Sequence, residues 1–238
     1  MRRILPVFLA VSILAACDDD DDPMTPVPLM SEFEVTIENL TSGQPMTPPL
    51  AAIHTPDIAL WERGAAASEG IREIAENGNL APMEMAVMGA SAVTDYVVAV
   101  GSGAPPLMAG ESRTFTIEST DGAGLFSFVS MLICTNDGFT GVNSIALPDA
   151  VGDMVMADGI SYDAGTEMNT EAWADMVPPC GPLTGEDSGG AGTGMSDPAL
   201  AEGGVITVHP GIAGSGDLTP AIHDWNDPAV RVTIRRVG

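Results

Sequence analysis

Phe33-Glu34-Val35-Thr36-Ile37-Glu38 alternates apolar and polar side chains without a break. A period of two puts Phe33, Val35 and Ile37 on one face of an extended chain and the charged partners on the other, the pattern of a half-buried β-strand. The same pattern closes the chain, where Val230, Val232 and Ile234 alternate with Arg231, Thr233 and Arg235 in a strand predicted over 230–237. It recurs over Ser112–Ser119 around Phe115 and Ile117, with Gly110 before it and Asp121-Gly122 after it as turn residues. Leu125 to Cys134 is almost wholly apolar and runs into Thr135-Asn136-Asp137-Gly138, which reads as a central strand buried on both faces and leading into a loop.

Further strands are predicted over 93–101, 142–147, 154–157 and 205–209. The stretch 39–49 reads as a polar, Pro-rich loop, 53–61 is ambiguous, and 185–194 reads as a mobile Gly-rich loop. One short helix is predicted over 65–77, where Ser68, Glu69, Ile71, Ile74 and Ala75 form an amphipathic stripe that Asn77-Gly78 ends. Short strands at frequent intervals, with 27 glycines and 19 prolines, give an all-β class: an antiparallel β-sandwich with one short helix.

The chain opens with Arg2-Arg3, an apolar run over 4–16 and then Cys17. A charged start, a short apolar core and small residues before a cut site are the parts of a secretory signal. Leu14-Ala15-Ala16-Cys17 looks like a bacterial lipobox, in which the cysteine is acylated and becomes the first residue; the plainer alternative is an ordinary signal cut with Cys17 free. Asp18 to Asp22 and the proline-rich 23–28 cannot pack a core and read as a solvated tether. The expected division is a signal peptide over 1–16, a lipid-anchored tether over 17–31 and one domain over 32–238. The expected location is the cell envelope, exported and held to the membrane through lipid on Cys17.

Thirty-three acidic residues against eight arginines, with no lysine, give a formal charge of −25. Such a chain repels phosphate backbones, which excludes nucleic acid as a partner, and it favours divalent cations and basic partners. With Cys17 taken by lipid, Cys134 and Cys180 remain, and in an oxidising compartment an even remainder predicts a disulfide rather than two buried thiols. His54, His209 and His223 show no paired metal-ligand spacing and read as turn or packing residues. There is no Gly-x-Ser-x-Gly nucleophile elbow, and without lysine there is neither a phosphate-loop nor a Schiff-base lysine.

Two acidic loops carry the remaining chemistry: Thr135-Asn136-Asp137-Gly138-Phe139 and Tyr162-Asp163-Ala164-Gly165-Thr166-Glu167. Calcium takes six to eight oxygens, mostly carboxylate and carbonyl. Asp163 and Glu167 are four apart with Gly165 between, so the chain can curl and aim both inward while Asp137 enters from the other loop. Spacing alone leaves the plainer reading open, that Asp137 and Asp163 are turn residues.

These stretches, with Phe33 to Thr41, His54-Thr55-Pro56, Gly64 to Glu76, Val208-His209-Pro210-Gly211-Ile212 and Asp224-Trp225, resemble the spondin domain family over roughly 33–236. The Tyr-Asp-Ala-Gly-Thr-acid stretch is the most specific piece. The resemblance implies a sandwich similar to membrane-targeting calcium-binding modules, with calcium held by Asp137, Asp163 and Glu167. Animal members flank the first aspartate with proline and tryptophan, where this chain has Asn136 and Gly138, and they carry aspartate where it has Glu167. The expected function is a non-enzymatic, calcium-binding adhesion or binding module for an extracellular protein or glycan. An envelope hydrolase with a structural calcium, and an inert structural lipoprotein, are the competing readings.

Overall fold

The structure is a computed structural model that describes residues 30–101, 106–120, 122–186, 190 and 192–238. The signal, most of the tether and the lipidation candidate Cys17 lie outside the described residues, as does part of the Gly-rich 185–194 stretch.

Ten strands form two antiparallel sheets. The four-stranded sheet has the order β4 (Ser112–Ser119), β1 (Ser31–Asn39), β10 (Val230–Arg236) and β7 (Met154–Gly159). The alternation read in β1 and β10 is what sets its register. Val35 lies opposite both Ile234 and Phe115, and Ile37 lies opposite Val232. Phe33, Val35, Ile37, Val230, Val232 and Ile234 are buried, and a slip of either strand by one residue would turn its three to solvent.

The six-stranded sheet has the order β3 (Val93–Val98), β2 (Leu50–His54), β5 (Leu125–Met131), β6 (Gly138–Ala146), β8 (Ser161–Asp163) and β9 (Thr207–Val208). β5 is buried on both faces, as its largely apolar run predicts, and Phe126, Phe128 and Met131 are fully enclosed. The polar residues inside this strand are satisfied: Ser130 donates to the Thr47 carbonyl at 2.7 Å, and Ser127 donates to Asn143 Oδ1 at 2.9 Å. At Gly141 a Cβ would lie 2.0 Å from the Phe128 carbonyl oxygen, so only glycine lets β6 run this close to β5.

Helix α1 (Glu69–Asn77) caps the six-stranded sheet. Ser68, placed within the helix by the sequence pattern, is its N-cap and accepts the Ile71 N–H at 3.2 Å. Gly78, in the left-handed conformation at φ 66°, closes it. Ile71, Ile74 and Ala75 are fully buried beneath.

The expectation of one helix falls short. A second nine-residue helix, α2 (Ala81–Gly89), packs on α1, and two shorter ones, α3 (Cys180–Thr184) and α4 (Pro220–His223), lie in the later loops. The stretch over 39–49, read as a polar, Pro-rich loop, lies within the fold, with Asn39, Thr41, Gln44 and Met46 buried. Asn39 ends β1 by donating to the carbonyls of Gln44 and Leu107. Among the described residues no helix is long and apolar enough to cross a membrane.

Candidate functional site

β5 and β6 are joined by a tight turn over 132–137, and the turn is built from side chains. Thr135 Oγ1 donates to the Leu132 carbonyl at 2.7 Å and accepts the Gly138 N–H at 2.8 Å. The buried Gln44 amide brackets Cys134, accepting its N–H at 3.0 Å and donating to its carbonyl at 3.1 Å. Cys134 is bonded to Cys180 at the start of α3, which is the pairing the cysteine count predicts. The turn is thus fixed from three sides before Asp137 is reached.

Asp137 is fully buried. Its Oδ2 accepts the Thr166 N–H at 2.7 Å, the Glu167 N–H at 3.0 Å and the Thr166 hydroxyl at 3.2 Å. Its backbone carbonyl accepts the Ala164 N–H at 3.1 Å. Its other carboxylate oxygen, Oδ1, is buried with no partner. Burial, and after it the charge of Asp163, push the Asp137 carboxyl up to about 6, against the downward pull of the Glu167 and Thr166 donors.

The second loop leaves the sheet at Asp163, which pairs with Gly138 in the β6–β8 register. Asp163 Oδ1 accepts the Gly165 N–H at 2.8 Å, and Oδ2 accepts from the Asn169 amide at 2.6 Å. Gly165 sits at φ 69°, and a Cβ there would lie 2.6 Å from the Val205 nitrogen, so both its handedness and its lack of a side chain are required. The Glu167 carboxyl turns toward a neighbouring segment and accepts the Asp197 N–H at 2.8 Å. Burial raises it to about 7, with the charges of Glu76, Asp137 and Asp175 adding to the rise and the Asp197 donor opposing it.

Asp137, Asp163 and Glu167 therefore belong to one loop cluster, as the spacing implied. They do not converge tightly. Among the described residues the one group of three that brings a ligand atom from each within 4.8 Å of the others is Cys134, Cys180 and His223, whose two sulfurs are already joined to each other. The donor chemistry still fits a hard cation: every side-chain donor is a carboxylate oxygen, and Asp137 Oδ1 is buried with nothing to neutralise it. In this arrangement Asp137 and Asp163 face each other's charge, while Glu167 offers its backbone N–H to Asp137 and its carboxyl elsewhere.

His209 takes the turn and packing role read from the sequence. Its ring is buried against Trp225, with centroids 5.1 Å apart. Nδ1 accepts the Gly211 N–H at 3.0 Å, and Nε2 is buried without a partner. Burial lowers its pKa, against the upward pull of Asp163, Asp224 and Asp227. Sequence reasoning missed Glu171: Oε1 accepts the Ala213 N–H and Oε2 the Ser215 N–H, both at 2.6 Å, which ties the loop over 211–217 to the site. No local periodicity flags Glu171.

Comparison with known proteins agrees with the resemblance. The Spondin_N family model matches residues 42–175, more than half of the chain and a span that holds Asp137, Asp163 and Glu167. Spondin-2 of Homo sapiens is 32% identical over 123 residues, covering 50% of this chain and 36% of that protein. Spondin-2 of Rattus norvegicus is 30% identical over 121 residues, with the same shares. The match thus spans little more than a third of the length of these curated relatives. With the two-sheet fold, the paired acidic loops and the family match together, the chain belongs to the Spondin_N family.

Proposed function

We propose that this chain is an exported, non-enzymatic binding module of the cell envelope, tethered by lipid on Cys17, whose loop end holds calcium and engages an extracellular protein or glycan. The observation that carries the calcium reading is Asp137: a fully buried carboxylate with one oxygen saturated by three donors and the other left bare. A bare buried anion beside a second carboxylate is costly unless a cation neutralises it. Asp137 and Asp163 would hold the ion, with Glu167 joining if its carboxyl leaves Asp197. The ion would supply positive charge that pins the two loops together or bridges to a partner.

The reading of the module as non-enzymatic is supported by the family and by the way these acids are used. Asp137, Asp163 and Glu171 are spent on backbone and amide donors of adjacent loops, which suits holding a shape rather than moving protons. Export is supported by the disulfide and the leader-like start.

Thermal unfolding with calcium and with chelator tests the metal. Calcium that binds only the folded chain raises stability by about 2.7 kcal/mol at a hundredfold excess over Kd. Absence of any shift at millimolar calcium would overturn the reading. A pull-down from extracellular material, run in parallel with calcium and with chelator, tests whether the ion serves the partner.

A further inference from the structure

Beyond the loop that carries Glu167 lies a cavity of about 170 Å³ lined by the carboxylates of Glu76, Glu167 and Asp175, with Val177, Pro198 and Leu200 in its wall. A second chamber of about 230 Å³ shares Glu76 and Glu167 with it. Glu76 stands in the last turn of α1 and is only 6% exposed. Its Oε2 is buried and has no hydrogen-bond partner. Among the described residues no ion pair reaches it. The chain has no lysine, and the ion pairs among the described residues are Arg72–Glu73 and Arg231–Asp158. Arg72 borders the second chamber but is already engaged by Glu73.

The three carboxylates do not bring their oxygens within 4.8 Å of one another, which is too open for a compact ion coordinated directly by all three. Apolar walls beside spaced carboxylates suit an organic cation with an aliphatic stem. Guanidinium is planar, weakly hydrated and carries five donors, so it can reach several carboxylates at once. We propose that this cavity is a socket for an arginine side chain of a protein partner, with Glu76 as its principal anion, Glu167 and Asp175 beside it, and Val177 and Leu200 against the stem. The proposal rests on the binding-module reading only for the partner being a protein; the charge preference of the socket does not depend on calcium at Asp137.

Amide NMR of the full chain in detergent solution, titrated with N-acetyl-arginine amide, tests this in calcium and again in chelator. Saturable shifts are expected at Ser196 and Asp197, which line the cavity, and none with the neutral citrulline analogue. Glu76→Gln should weaken the affinity roughly tenfold or more with the spectrum otherwise intact, and Asp175→Asn should weaken it in parallel and carries the test if the first variant does not fold. An equal response to citrulline, or non-saturating shifts spread over exposed acids such as Glu34 and Glu118, would overturn the socket. Direct calcium shifts at these same amides in Asp137→Asn, where the loop ion has lost its ligand, with displacement of the probe there, would also overturn it, in favour of a metal site in the cavity itself. Loss of the calcium effect on melting with the arginine response intact would sink the calcium reading and leave the socket standing.

Discussion

Replacing Asp137 by Asn separates a metal ligand from a loop staple. The folded chain holds the Asp137 carboxyl at about 6, against an ordinary value of 3.8. At 1.36 kcal/mol per unit, that gap is worth about 3 kcal/mol. The folded state binds this proton more tightly than the unfolded state does. The contribution is therefore fully present below pH ~4 and is lost as pH rises through about 6. Above that pH, without calcium, the ionised Asp137 opposes folding. Asn keeps an oxygen for the Thr166 and Glu167 donors and places an uncharged NH₂ near the bare Oδ1 position. Asp137→Asn should then be more stable than the parent in chelator at pH 8, by up to about 3 kcal/mol, or roughly 6–12 °C for a domain of this size. It should lose most of the stability change between pH 4 and 6, whereas the fall tied to Glu167, which titrates near 7, should remain. Calcium should reverse the order, since the parent gains binding energy and the variant does not. Calorimetric melts at pH 5 and pH 8, each with calcium and with chelator, read all four corners. If Asp137→Asn is less stable by the same amount at both pH values and calcium moves neither protein, Asp137 is a loop staple and the metal argument fails.

Removing the disulfide with Cys134→Ala and Cys180→Ala together frees a loop closed across 46 residues of sequence, which the loop-entropy estimate values at about 4 kcal/mol; the denaturation midpoint should fall accordingly, and calcium affinity should fall with it because Cys134 stands at the head of the Asp137 turn. Gly141→Ala drives a Cβ into the Phe128 carbonyl and against Trp61, so strands β5 and β6 must part, at a cost of about 1–3 kcal/mol or more seen as a lower melting temperature. Glu171→Ala leaves the N–H groups of Ala213 and Ser215 without their acceptor, which should cost roughly 2–3 kcal/mol and expose the loop over 211–217 to proteolysis. Burial pushes the Glu171 carboxyl up, but its backbone donors outweigh that and hold it below the ordinary range, so its contribution is present above the ordinary carboxylate pKa and is lost on acidification.

The elements legible in the sequence are those whose two faces differ. β1, β4 and β10 each have one face in the core and one in water, and alternation located them to within two residues. β2 is buried on both faces, so Leu50-Ala51-Ala52-Ile53-His54 shows no alternation and runs directly out of Pro48-Pro49. β8 has three residues, too few for any period, and pairs with the edge of β6, while β9 keeps only two residues of the strand predicted over 205–209. Helix α2 was hidden for a different reason. Its apolar residues do not form a stripe, and Met85 and Met88 point to solvent while Met83 and Val87 are buried. In the site, Asp137 and Asp163 were visible because turn glycines flank them. Glu171 comes from a distant segment that only the closed sandwich brings near, and nothing in its own neighbourhood marks it.

The loop over 163–167 ties the two acidic regions into one mechanical unit. Its amides at Thr166 and Glu167 are spent on the Asp137 carboxylate, and its amide at Gly165 on Asp163, so the backbone is already committed to holding negative charge. At its far end the Glu167 carboxyl reaches Asp197 and faces the cavity of Glu76 and Asp175. A partial positive charge from backbone dipoles spreads this load but does not cancel it. In a chain with no lysine and a formal charge of −25, cancellation has to be imported. An ion that drew Glu167 toward Asp137 would draw it away from Asp197 and open the cavity, whereas an organic cation in the cavity would hold Glu167 where it is. The two ligands therefore compete for one side chain, and thermodynamic reciprocity requires each to weaken the other by the same factor. Measuring the arginine-amide affinity at zero and at saturating calcium, and the calcium affinity at zero and at saturating arginine amide, closes that cycle. Matching factors above one would tie both sites to Glu167, and a factor of one in both directions would show that the calcium shell is complete without it.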